Sequence, residues 1–146
     1  MGSFFKSLVL GFIAGAIAFV AVHEAISLWL LNSGYSTYVP WSMEPSTFTG
    51  WPQIASGAAW GGLWGAIFAI VLGPVPQGSM TLRGALLGLI GPAVVGTLVL
   101  VPLIRSEQPF LNHDINVIWP VLAACAGFGA VAAWLYGFFS SGCRLP

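Results

Sequence analysis

The chain has 146 residues, of which 58% are hydrophobic and only 5% charged, four lysines or arginines against four acids, and its mean hydropathy is +0.91. Soluble domains average about 45–50% apolar and about 25% charged residues, so these figures exclude a soluble globular domain and put the chain in a lipid bilayer. With no basic face and no run of the roughly 4–8 lysines and arginines that recruits anionic lipid, nucleic acid is excluded as a partner.

Four apolar runs, at about 4–31, 52–72, 81–104 and 116–139, reach the roughly 20 residues that a membrane-spanning helix needs. They predict an all-α integral membrane four-helix bundle, one transmembrane domain over 1–146. In the first run, Lys6 precedes an apolar stretch longer than the roughly 7–15 residues of a signal-peptide core, so it is expected to stay attached as a span. Gly11 and Gly15 stand four apart in it, a spacing that lets helix backbones approach closely. Beyond them come His23 and Glu24, the one imidazole and the one acid in any of the four runs. Placing such groups in hydrocarbon is costly, so by default they face a bundle interior and mark a site.

The segment 39–52 reads V-P-W-S-M-E-P-S-T-F-T-G-W-P. Its three prolines and its aromatics predict an ordered cap on the membrane surface, built on Trp41, Glu44 and Trp51, with coverage of the His23 site as the second reading of it. The leading reading simply seats those aromatics in the headgroups. Pro52 suits the first turn of the second helix. Gln53 and Ser56 then enter at the depth of His23 and Ser27, so His23, Glu24, Ser27, Gln53 and Ser56 are expected to form a polar cluster, within reach of Thr97 and Asn116. Gly57, Gly61 and Gly65 form a stripe expected to grip the first or third helix. Trp60 and Trp64 flank that stripe, as shoulders of the seam or as walls of a pocket for a quinone or tetrapyrrole.

Pro74 and Pro76 end the second run, and the third carries Gly84 and Gly88 at the spacing of Gly11 and Gly15. Gly91-Pro92 predicts a kink there that frees backbone carbonyls. Asn112 or Asp114 is placed to cap the fourth helix, within which Cys125 reads as a small packing residue. Cys143, at another depth, is expected to be free as well. A weak internal repeat is visible, since Ala58–Gly62 resembles Ala123–Gly127 as Gly11–Gly15 resembles Gly84–Gly88, and it predicts two helical hairpins in a 2+2 arrangement. Lys6, Arg83 and Arg144 on one side against Arg105 on the other give cytoplasmic termini by the positive-inside rule. Trp29, Trp41, Trp51, Trp119, Tyr35 and Tyr38 then form an outer aromatic belt, and Trp134 and Tyr136 an inner one.

Adjacent helical residues point about 100° apart, which predicts that His23 and Glu24 face different partners. Four readings of the pair stand open: a hydrogen-bonded network that fixes helix registry, a contact to a partner subunit, a proton or ion relay, and a ligand role for His23. One imidazole and one carboxylate fall short of the three or four ligands zinc takes, and His113 lies in another loop, so no metal and no cofactor is expected. Ser42, His113 and Asp114 supply the residue types of a hydrolytic triad without a G-x-S-x-G elbow, and no catalysis is expected.

P-W-S-M-E-P from Pro40 to Pro45, Gly-Trp-Pro from Gly50 to Pro52 and W-G-G-L-W-G from Trp60 to Gly65 together resemble a group of small four-span bacterial inner-membrane proteins of unassigned function. The resemblance covers about the first half of the chain and implies a compact bundle in a bacterial inner membrane, with no activity to carry over. The leading expectation is a non-enzymatic structural or accessory subunit, packing through its glycines as a homo-oligomer or in a larger membrane complex. The alternative is a small transporter or channel for protons, ions or a solute built around His23 and Glu24, which four helices would need to dimerise to enclose.

Overall fold

The computed structural model describes residues 2–73 and 78–142, so Pro74, Pro76, Cys143 and Arg144 lie outside the described residues. Four helices are long and apolar enough to cross a membrane: α1 (Gly2–Asn32), α2 (Gln53–Leu72), α3 (Met80–Ile104) and α4 (Ile115–Ser140). No β-strand occurs among the described residues, and a lone bridge pairs Pro45 with Pro52 across the base of the first loop. The expected limits hold to within two residues. Pro52 sits just outside α2, as its N-terminal cap residue with an extended backbone, where a first-turn position was expected. Asp114 caps α4, its carboxylate accepting the Asn116 N–H at 2.9 Å.

Neither α1 nor α3 is α-helical throughout. Phe19–His23 in α1 and Leu89–Leu100 in α3 are wound as π-helix. In the second case Pro92, the expected site of disturbance, has no N–H to donate, and the helix widens around it. The Pro92 carbonyl takes the Thr97 hydroxyl at 3.0 Å. The segment in α1 contains no proline or glycine.

Glycine decides how these rods pack. In a bilayer no hydrophobic force presses helices together, so close approach and dispersion must do it. Gly11 and Gly15 of α1 sit against Gly61, Gly65 and Ala69 of α2, so closely that a Cβ on Gly65 would collide with the Gly11 carbonyl. Gly84 and Gly88 of α3 meet Cys125, Gly129 and Ala133 of α4 in the same manner. The two seams correspond contact for contact, with Cys125 in the place of Gly61. The alignment of Ala58–Gly62 with Ala123–Gly127 would have put Ala126 there, one residue out of register.

The seams define two hairpins, α1 with α2 and α3 with α4, joined chiefly by α1 against α4. Ala14, Ala18, Phe68, Phe128, Ala132 and Ala133 fill the core. Gly73, at φ +80°, closes α2 in a conformation only glycine adopts easily, and its carbonyl accepts the Tyr136 hydroxyl at 2.7 Å. Tyr136 is therefore buried and does not stand in an aromatic belt. α2 and α3 scarcely touch, apart from the Trp64 ring of α2 against Gly91 and Gly96 of α3.

Candidate functional site

Glu24 is fully buried, with 0% exposure. A carboxylate so placed needs donors, and the first loop supplies two of them. The Tyr38 hydroxyl donates to both carboxylate oxygens, at 3.0 and 3.3 Å, and the Trp41 backbone N–H donates at 2.6 Å. The third donor is the neighbouring imidazole, with His23 Nδ1 at 3.1 Å from Oε1. Every neighbour is a donor, which suits an acceptor-only carboxylate.

The π-helical segment makes this closure fit. In a regular α-helix the Glu24 N–H would bond the carbonyl of Val20, but here it reaches back to Phe19. The Trp41 indole N–H donates to the Val20 carbonyl at 2.9 Å. Trp41 is thus tied down twice, by backbone to Glu24 and by side chain to Val20. Those ties hold it at φ +50°, a left-handed conformation that is costly for a bulky residue and is commonest where surrounding structure overrides local preference. Burial and the negative charge of Glu24 push the Tyr38 phenol well above its usual range, which keeps it a donor.

His23 was expected to diverge from Glu24, yet the two bond each other and both meet Tyr38, whose ring lies edge-on to the imidazole at 6.4 Å. The reason is reach, since the side chains bend across the 100° between their Cα–Cβ bonds. Glu24 holds the Nδ1 proton, which leaves Nε2 as the free ring nitrogen. The imidazole also stacks on Phe19 at 4.5 Å and is 20% exposed.

Not all of the expected cluster assembles. Ser27 donates to the His23 carbonyl of its own helix at 2.8 Å. The Ser56 hydroxyl pairs with Thr49, and the Gln53 backbone N–H bonds the Glu44 carbonyl, so both stabilise the base of the loop and stand away from the acid. Of the cap residues, only Trp41 touches the site. Glu44 and Trp51 are exposed. The Ser42 hydroxyl accepts the Glu44 N–H and the His113 ring stacks on Phe110, so neither is engaged with the other. No group of three metal-ligating side chains occurs among the described residues.

The residues missed from sequence are Tyr38, the Trp41 N–H and Phe19. A buried acid demands donors, and the loop immediately after its helix was the place to look. Tyr38 reads as a headgroup-belt residue because aromatics at a span end usually belong there, and Trp41 reads as belt or cap with nothing in its side chain to announce a backbone donor.

Below this clasp lies a cavity of about 730 Å³ lined by all four helices and the first loop. Its walls include the aromatic rings of Phe19, Trp60, Trp64 and Phe128, with Phe48 from the loop. His23, Thr97 and Asn116 add polar atoms, and Arg105, whose guanidinium lies 4.8 Å from the Phe48 ring centre, stands at the loop end. Glu24 is outside the lining, behind His23. Trp64, 8% exposed, contributes an indole N–H that is buried and has no hydrogen-bond partner. Leaving such a donor unmade costs about 1–3 kcal/mol. Trp60 and Trp64 therefore both stand in the cavity wall, with Trp64 against Gly91 and Gly96 of α3. Comparison with protein families, with curated proteins and with solved structures found no match for the chain.

Proposed function

We propose that the chain is a non-enzymatic multi-pass membrane protein that takes a small molecule into this cavity and exchanges protons with it through His23. The observation that carries the reading is the cavity itself, walled by every helix and bordered at one end by a loop that a buried carboxylate ties down. Its volume falls within the roughly 300–1,000 Å³ of small-molecule sites, and its apolar lining with a few polar atoms is their usual composition. A carboxylate behind an imidazole fixes the tautomer and orientation of the ring, as an intramembrane proton relay needs. One chain suffices to line the cavity, so dimerisation is not needed to form it.

The same reading places both termini in the cytoplasm and the loop end outward, from Lys6, Arg83 and Arg144 against Arg105. The likeness of the first half to small bacterial four-span proteins favours a bacterial inner membrane. We further read the two seams as a 2+2 repeat, in which Gly11 answers to Gly84, Gly15 to Gly88, Gly61 to Cys125 and Gly65 to Gly129.

An accessory-subunit role, in a homo-oligomer or larger complex, would have to use other surfaces, because Gly11, Gly15, Gly57, Gly61, Gly65, Gly84 and Gly88 all face neighbours within the chain. Proton flux in liposomes separates the two. The solute-handling reading expects flux with the wild type, and its loss in Glu24→Gln and His23→Phe. Absence of flux in the wild type, with co-purification of a larger membrane complex, favours the accessory role.

A further inference from the structure

The cavity changes character along its length, and that change describes its occupant. We infer that it takes a long-chain carboxylic acid, whose carboxylate pairs with Arg105 and whose chain lies along α4 toward Phe128. This deepens the cavity reading above and rests on it.

Arg105 is the one permanently charged side chain of the lining, and it is the first residue beyond α3. Its guanidinium lies over the Phe48 ring, and no carboxylate among the described residues is within ion-pair distance of it. The planar fork is left to pair with an anion, and a carboxylate matches it two bonds at a time. Asn116, the second residue of α4, lines the same end and adds amide donors. Neither a cation nor a bare hydrocarbon answers this end.

The other end calls for an apolar chain. On α4 the lining runs from Asn116 to Phe128 by way of Val117, Val121 and Ala124, which share one helix face at a spacing of three or four. At about 1.5 Å rise per residue that stretch is on the order of 18 Å long. It spans slightly more than half of the roughly 30 Å hydrocarbon core, the depth that one leaflet's acyl chain occupies. Phe19 of α1 and Phe128 both stand against Gly61 of α2, so rings from two helices wall the deep end. A compact polar solute would leave these walls unfilled.

His23 lines the same cavity, and for it to exchange a proton with the occupant the head must exist in both protonation states. A carboxyl group does, since its ordinary value of about 4 rises in apolar surroundings, whereas a phosphodiester stays ionised. That separates a free acid from a phospholipid, which shares the anionic head and the chain.

The test uses dodecanoate, dodecan-1-ol and a lysophosphatidylglycerol with the same chain, at about pH 8, where dodecanoate is ionised in water. Affinity is read from the ligand-dependent rise in unfolding temperature of the full chain in a neutral detergent. Dodecanoate should bind about fivefold more tightly than dodecan-1-ol, the value of a good ion pair at an exposed guanidinium, and more tightly than the lysophospholipid. The advantage over the alcohol should vanish in Arg105→Gln and persist in Arg83→Gln, which lies outside the lining. Equal affinity for dodecanoate and dodecan-1-ol, with binding of both lost in Val121→Trp, overturns the carboxylate assignment and leaves the cavity reading standing. Lysophosphatidylglycerol binding as tightly as dodecanoate, or more so, assigns the site to a phospholipid and overturns the free acid. An advantage that survives Arg105→Gln overturns it too. No binding of any probe overturns the acid, and if Val121→Trp also matches the wild type in stability and flux, the cavity reading falls with it. The wild-type comparison of the three probes decides the matter even if Arg105→Gln fails to fold.

Discussion

At the scale of single residues, the clasp around Glu24 sets the first loop, and its worth can be tested one donor at a time. Tyr38→Phe removes the hydroxyl and leaves the ring against His23. A hydrogen bond to a charged group contributes about 1.5–3 kcal/mol, so the variant should unfold at a measurably lower denaturant concentration, with the loss near the low end because Trp41 and His23 remain. Proton linkage gives a second readout. Since burial and Glu24 raise the Tyr38 pKa in the folded state, the phenol adds stability that is fully present below the usual tyrosine value of about 10. Above that pH the unfolded chain releases the proton first, and stability falls as pH rises toward the folded-state value. Wild type should therefore loosen at its first loop in alkali, as followed by proteolysis at 33–52, and Tyr38→Phe should show a shallower pH dependence. An identical alkaline profile for the two would remove Tyr38 from the clasp. His23 and Glu24 were legible in the sequence because polarity inside an apolar run is anomalous. Their partners were not, since tyrosine and tryptophan beside a span are ordinary.

At the scale of elements, run length fixed the four helices in advance, and glycine spacing foretold a close seam on α2 but left open whether α1 or α3 would fill it. What escaped is the winding within them. Pro92 signalled a disturbance but not its form, and Phe19–His23 carries no local signal, because its carbonyl partner, Trp41, arrives from a loop more than a dozen residues away. The seams themselves give a sharp contrast. Gly65→Ala drives a methyl into the Gly11 carbonyl and the Gly15 backbone, which cannot move without parting the helices. Gly62→Ala meets only the tip of the Phe12 ring, a half-exposed side chain free to rotate away. Although alanine is the better helix former by about 1 kcal/mol, Gly65→Ala should lower the unfolding temperature in detergent by several degrees, and Gly62→Ala should leave it nearly unchanged. Equal shifts would mean that the seam tolerates separation.

At the scale of the whole molecule, two hairpins meet mainly through α1 and α4, and the cavity occupies the space that α2 and α3 leave by standing apart. Each hairpin has its own glycine seam, and Gly73 and Tyr136 add one long-range bond between them. Such a division implies that the covalent link between the hairpins is not what holds them together. Residues 1–73 and 78–146, co-expressed as separate chains, should insert and co-purify in mild detergent. Ala132 is the place to break that association, since it is buried against the cluster of Ala18, Phe68 and Phe128 and has no room for added volume. Ala132→Leu overpacks the junction at a cost of roughly 1–3 kcal/mol, so the fragments should separate while each hairpin keeps its helical circular dichroism. Recovery of the two fragments only apart, even with Ala132 intact, would show that the halves depend on their connection, and the cavity would then belong to one continuous fold in place of two joined ones.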